Sequence, residues 1–261
     1  MPLKREVEVD GARIEFLVDG AGDTVVLVPG GGLDATYFND LAGRLAQAGF
    51  RAVAVNPRGV GQSTGPLEGL TLHTLAADVA GVIETLGSGP VHVLGHGFSN
   101  RVVRCLGADR PDLVRSVILL AGVGLVEPDA EVVKALHSWF RRDASESDCL
   151  EAAKRLIADP ATAERILRQV KRWPAVAAAQ AAADRATPRN DWSRPSSGIP
   201  VLVVQGLEDR VAPPEHGRSL RDLLGNRVHL AEIPHAGHMV FLEQPEAVAA
   251  SVLSFLQEDA A

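Results

Sequence analysis

Two residues in the C-terminal fifth of the chain have the types and the setting for acid–base work. GLEDRVAPP (206–214) places Asp209 three residues beyond a glycine that ends an apolar run, and HAGHMVFLEQP (235–245) places His238 in a glycine-containing loop. A carboxylate that accepts a hydrogen bond from one imidazole nitrogen fixes the tautomer, stabilises the imidazolium and leaves the other nitrogen free as a base. A third stretch, VLGHGFSN (93–100), has the frame of a strand running into a sharp turn and then a helix. Its central residue is Gly97, which has no side chain to attack with, so a covalent intermediate at that position is excluded by chemistry. Ser99 carries a hydroxyl two residues on, but it falls in the expected first helical turn, where serine is a routine N-terminal residue. As a nucleophile in a shifted register it would also be followed two residues later by the bulky Arg101. His235 and His238 lack a third partner for a metal, and PGGG (29–32) lacks the Lys-Ser/Thr ending of a phosphate loop, so no metal and no cofactor is expected.

Positioning these groups requires a sheet. EVEVDGARIEFLV (6–18) reads as a hairpin turned by Asp10-Gly11. Short apolar runs follow at TVVLV (24–28), RAVAV (51–55), VHVLG (91–95) and SVILLAG (116–122), each bounded by turn residues as a buried strand would be. Helical patterns separate them at about 40–48, at LTLHTLAADVAGVIETLG (70–87) and from about Phe98. From Glu127 to about Trp192 the pattern changes to Ala-, Arg- and Glu-rich helices broken at Pro160 and Pro174. Strand character returns at 199–206 and 227–233, with helices near 214–224 and from Pro245. Strand alternating with helix predicts an α/β fold with a mainly parallel, doubly wound sheet. Residues 1–126 and 196–261 are expected to form the core, and 127–195 a helical cap over the carboxyl edge of the sheet. Ligands in such sheets bind beyond the carboxyl ends of the strands, where the residues singled out above all fall.

Composition sets the remaining limits. Among 261 residues, 46% are hydrophobic and 23% charged, and the net charge is -7, which supplies no basic surface for nucleic acid or anionic lipid. Two cysteines make no disulfide framework and suit a reducing cytoplasm. No signal-peptide h-region and no apolar run of membrane-spanning length is visible, so a cytoplasmic protein is expected. Its expected partner is a small-molecule substrate, with no nucleic acid and no membrane; nothing in the sequence fixes the oligomeric state.

VLVPGGG, NPRGVGQS, VLGHGFS, GLEDRVAPP and AGHMVFLEQP, in that order, resemble the α/β-hydrolase superfamily, in its cap-bearing branch of small esterases, C–C hydrolases and epoxide or halide enzymes. The chain order of that family is nucleophile, acid, histidine, which implies positions 97, 209 and 238 here. The resemblance also implies an oxyanion hole from the backbone N–H groups of Gly31 and Phe98, with Leu33, His96 and Trp139 as candidates for the substrate pocket. Arg58-Gly59 reads as scaffold. Two departures stand out: the G-x-S-x-G pattern has glycine at its centre, and Pro29 replaces the histidine that usually precedes the loop glycines. Glycine freely adopts the backbone of a sharp turn. The expected function is therefore general-base chemistry by His238 and Asp209 on a small molecule, through hydrolysis or through lyase, cyclase or cofactor-free oxygenase chemistry. A non-catalytic binder of small molecules and a hydrolase using Ser99 are the alternatives.

Overall fold

The computed structural model describes residues 2–122, 126, 129–193 and 198–258. Asp10 and Gly11, with φ of 43° and 74°, supply the left-handed pair that a two-residue hairpin turn needs. They join β1 (Leu3–Val9) to β2 (Ala12–Asp19) in antiparallel register. The buried runs then form β3 (Thr24–Val28), β4 (Arg51–Val55), β5 (Val91–His96), β6 (Val114–Leu120), β7 (Val201–Gly206) and β8 (Val228–Ile233). The sheet order is β1-β2-β4-β3-β5-β6-β7-β8, and every pair from β4 to β8 is parallel.

Three helices lie between the early strands and beyond β5: α1 (Asn39–Gln47), α2 (Leu72–Leu86) and α3 (Ser99–Asp109). Five follow β6, namely α4 (Ala130–Trp139), α5 (Glu146–Leu156), α6 (Ala163–Leu167), α7 (Pro174–Ala186) and α8 (Arg189–Trp192). The last three are α9 (Glu215–Leu224), α10 (Val240–Glu243) and α11 (Pro245–Glu258). Apolar side chains pack on both faces of the sheet: α1 and α11 enclose one cluster with Leu27, Leu94 and Ile118, while α2 and α3 enclose another with Val26, Val93 and Val117. Among the described residues no helix is long and apolar enough to cross a membrane.

Several strand limits differ from those the apolar runs suggest, β6 and β7 among them. Strand β6 begins at Val114, because β5 pairs it from there, and ends before Ala121, whose φ of 49° turns the chain out of the ladder. Strand β7 begins at Val201 rather than Ile199, since Pro200 has no N–H to donate. Pro174 stands at the first position of α7, where its missing N–H costs nothing, and Pro160 opens a short 3-10 turn. The expected cap limits, from 127 and to 195, fall on residues outside those described.

Candidate active site

The acid and the histidine are brought together by backbone contact between the ends of β7 and β8. A Cβ on Gly206 would stand 2.4 Å from the carbonyl oxygen of Ala236, so only glycine lets the two loops meet. Beyond it, Asp209 is 2% exposed, and its Oδ1 accepts N–H bonds from Val211 and Ala212 at 2.8 and 2.9 Å. Those bonds fix the carboxylate so that Oδ2 faces His238 Nδ1 at 3.0 Å. His238 is held at both ends of its own backbone. Its N–H donates to Leu156 at the end of α5, and its carbonyl accepts from His96 Nε2 at 2.8 Å. Glu243 ties the same loop down: its carboxylate accepts from the N–H groups of Ala158, Gly237 and Met239 at 2.7, 2.9 and 3.1 Å. Burial lifts the pKa of this carboxyl group, against those three bonds.

Opposite Nε2 stands the turn between β5 and α3. Gly97 has φ of 51°, and a Cβ there would lie 3.1 Å from His238 Nε2 and meet no atom outside that imidazole. The turn is stitched from both sides. The Gly97 N–H donates to the Leu120 carbonyl at 3.0 Å, and Asn100 Nδ2 donates to the carbonyls of Gly97 and Leu120, each at 2.9 Å. Gly95 has no room for a side chain, because its Cβ would sit 2.5 Å from the Ser99 carbonyl oxygen. Ser99 is buried in the first turn of α3, and its hydroxyl donates to the Pro29 carbonyl at 2.5 Å. That hydroxyl serves the packing of the glycine loop and is not paired with His238.

The glycine loop lies against Phe98, with a Gly31 Cβ position only 3.2 Å from the Phe98 Cβ. Its flanking amides are satisfied: Gly30 N–H donates to the Tyr37 hydroxyl at 2.6 Å and Gly32 N–H to Gln180 Oε1 at 2.7 Å. Trp173 N–H donates back to the Gly32 carbonyl at 2.7 Å. Helix α7 thus holds the loop that follows β3, and small side chains permit it, since Ala177 leaves no space for a Cβ at Gly32.

A cavity of about 760 Å³ opens over these groups. Its floor carries Gly31, Gly97, Phe98 and His238; its walls come largely from α4 and α7. Leu33, His96 and Trp139 all border it. His96 uses Nε2 as donor to His238, so its buried Nδ1 is an acceptor, and among the described residues no hydrogen-bond partner stands opposite it. Burial first, and the neighbouring His238 second, push its pKa down to about 3, so the ring is neutral. The size and the mostly apolar lining suit a small organic ligand.

Sequence reasoning passed over several residues that complete this site. Arg101, Arg189 and His216 line the cavity, Gln180 grips the glycine loop, and Glu243 pins the histidine loop. Glu243 was visible inside the AGHMVFLEQP motif. The others come from helices whose lateral order the sequence does not give. His216 Nδ1 accepts from the Val126 N–H at 3.0 Å, and burial leads the causes that lower its pKa to about 4. Away from the cavity, His73, Cys105 and Asp109 bring three ligand-type atoms within 4.8 Å of one another. They already bond among themselves, with His73 Nδ1 2.7 Å from Asp109.

An eight-stranded sheet of this order, with an acid after β7 and a histidine after β8, is the arrangement of the alpha/beta hydrolase fold family, whose model matches residues 23–245. The chain belongs to that family. A Mycobacterium tuberculosis protein carrying the provisional name non-heme bromoperoxidase BpoC is 30% identical over 250 residues, spanning 91% of this chain and 95% of that one. Its crystal structure superposes with a TM-score of 0.78 at 27% identity, over 95% of this chain and 97% of the other. The 2-hydroxy-6-oxo-6-(2'-aminophenyl)hexa-2,4-dienoic acid hydrolase of Metapseudomonas resinovorans is 25% identical, over 99% of this chain and 92% of that one. A thermophilic esterase from Thermogutta terrifontis shares the fold, with a TM-score of 0.78 at 23% identity, over 99% of this chain and all of the other.

Proposed function

We propose that this hydrolase-fold protein is an enzyme that acts on a small organic molecule by general-base chemistry, without a covalent intermediate. The observation that carries this reading is the direction of the dyad. His238, oriented by Asp209, turns Nε2 toward Gly97 on the floor of the cavity. In this reading the turn at Gly97 is a nucleophile elbow whose apex has no nucleophile, and α4–α8 form a cap that closes the site. Relatives named as hydrolases support the class of reaction, and the retained dyad argues against a mere binding pocket, which has no use for an oriented base.

In the hydrolytic form of the mechanism, His238 Nε2 takes a proton from water as the water oxygen bonds to the substrate carbonyl carbon. The carbonyl π pair moves onto its oxygen, which the N–H groups of Gly31 and Phe98 hold. Collapse of that oxyanion expels the leaving group, which receives the proton from the imidazolium, while Asp209 stabilises the cation throughout. General-base assistance contributes typically about 10²–10⁴-fold, and loss of one oxyanion donor costs about 2.7–4 kcal/mol, so the pair suffices for an activated bond. The same base and the same hole serve proton abstraction and enolate stabilisation in a lyase or oxygenase reaction.

The test compares wild type, Gly97→Ser and His238→Ala on short activated esters. Turnover by wild type that His238→Ala abolishes supports water attack driven by the dyad. Turnover by Gly97→Ser alone shows a working dyad and oxyanion hole whose native reaction is not simple ester cleavage. Equal turnover by wild type and His238→Ala overturns the mechanism.

A further inference from the structure

The cavity has an electrostatic asymmetry that the dyad does not use. Among the described residues no carboxylate borders it, although the protein as a whole is negatively charged, at -7. Arg101, Arg141 and Arg189 do border it, and of these Arg141 is exposed and already forked onto Asp143. Arg101 sits in the first turn of α3, four residues beyond Gly97. Among the described residues its acidic partner is Asp184 on α7, 3.2 Å from Nε but without the alignment of a hydrogen bond. One carboxylate can in any case take only two of the five guanidinium donors.

The surroundings make Arg101 a fixed group rather than a solvated one. Its side chain is 21% exposed and its guanidinium carbon lies 5.4 Å from the centre of the Trp192 ring. Arg104, fully buried, approaches the same ring at 4.8 Å. Trp192 therefore holds two cations beside each other, and Arg189 opens the helix on which it lies. Like charges this close oppose one another: burial first, then Arg101 and Arg189, depress the Arg104 pKa to about 9. Burial lowers that of Arg101 as well, with Asp184 opposing and Arg189 adding to the shift. His216 on the same wall is neutral and neither adds to nor offsets the charge. Elsewhere the wall carries apolar side chains such as Leu136, Phe140, Ala177 and Ala181, with His137 and Gln180 as further polar members.

We infer that Arg101 is the anchor of a carboxylate subsite, and that the substrate is a small organic acid with an apolar body. Its carboxylate docks on the guanidinium of Arg101, and its reacting carbon lies between Gly97 and His238 Nε2. This rests on the reading of the cavity as the substrate site, but not on the fate of the substrate there. The guanidinium fork of Arg101 is already immobilised by the indole, so little ordering entropy is lost when a carboxylate takes its remaining donors.

The experiment is equilibrium binding, by calorimetry at pH 7, of paired probes: the phenyl-substituted carboxylic acids from benzoate to 4-phenylbutyrate, each against its neutral primary amide. At least one acid should bind about tenfold more tightly than its amide. Arg101→Gln should remove that preference while leaving the amide affinity in place, and Arg101→Lys, which keeps the charge but not the fork, should fall between. His238→Ala should retain the preference, which separates this inference from the proposed chemistry. Equal affinity of acid and amide across the series in wild type, including binding of neither, overturns the subsite. So does an Arg101→Gln protein that still prefers the acid. Should Arg101→Gln fail to fold, the wild-type comparison and Arg189→Gln, expected to weaken the same preference, decide alone.

Discussion

Gly97 and Gly95 sit two residues apart in one turn, and they are glycine for different reasons. At Gly97 the constraint is the left-handed φ of 51° and the His238 ring at 3.1 Å from a Cβ, which a small ring movement relieves. At Gly95 the obstacle is backbone, the Ser99 carbonyl at 2.5 Å, which cannot move without shifting the start of α3. Gly97→Ala should therefore cost about 1 kcal/mol, in the range of strained single residues, and Gly95→Ala should cost about 2–3 kcal/mol, as overpacking does. Urea melts of the two variants check the order. A reversed order would mean that the turn is set by something other than this contact. Gly97→Ala should also lower turnover well beyond its effect on stability, because its methyl occupies the space into which Nε2 points.

At the level of elements, the site depends on two clamps that cross between the sheet and the helices after β6. Gln180 on α7 satisfies the Gly32 amide, and Glu243 on α10 takes three amides, two from the histidine loop and one, Ala158, from just beyond α5. Leaving a buried amide unpaired costs about 1–3 kcal/mol. Gln180→Ala is expected to destabilise by about that amount and to raise hydrogen exchange at Gly32. In Glu243→Gln one acceptor oxygen becomes an amide NH2 that faces N–H donors, so exchange should rise at Gly237 and Met239 and turnover should fall with it. Unchanged exchange at those amides would show that the loops hold their shape without the clamps.

For the whole molecule, the histidines set a pH window. His96 and His216 are buried neutral, with pKa values of about 3 and about 4, below the ordinary value near 6.5. Their folded pKa values are depressed, so below about pH 6.5 the unfolded chain binds protons that the native protein refuses. Stability is fully present above that pH and falls as pH drops toward the folded values, by up to about 1.4 kcal/mol per pH unit for each ring. His73 acts in the opposite sense. Its hydrogen bond to Asp109, and then one to Asp191 on α8, raise its pKa, so its contribution is lost as pH rises through the folded value. The group is half-exposed and its effect is small. His216→Gln should therefore flatten the acid limb: the slope of unfolding free energy between pH 6.5 and 5 should drop by about 1 kcal/mol per unit relative to wild type. An unaltered slope would mean that His216 protonates in the folded state.

The strands, the helices and the motifs at the strand ends were legible in the sequence because each is a local pattern. Buried runs such as TVVLV, the Asp10-Gly11 turn and the prolines at 160 and 174 act on the chain within a few residues of themselves. That Gly97, Asp209 and His238 follow the ends of β5, β7 and β8 was likewise readable, since the apolar runs mark where those strands stop. What those patterns do not contain is lateral placement. That Gly206 packs on the Ala236 carbonyl, that Gln180 reaches the loop after β3 from 148 residues away, and that Trp192 gathers Arg101 and Arg104 follow only from how the layers stack. Ser99 shows the difference most plainly: as a letter it offers a hydroxyl near the turn, and in the fold that hydroxyl is committed to the Pro29 carbonyl. The chain by itself determined which residues stand at the edge of the sheet. Packing decided which way each one faces, because side-chain direction and partnership depend on neighbours that are remote in sequence.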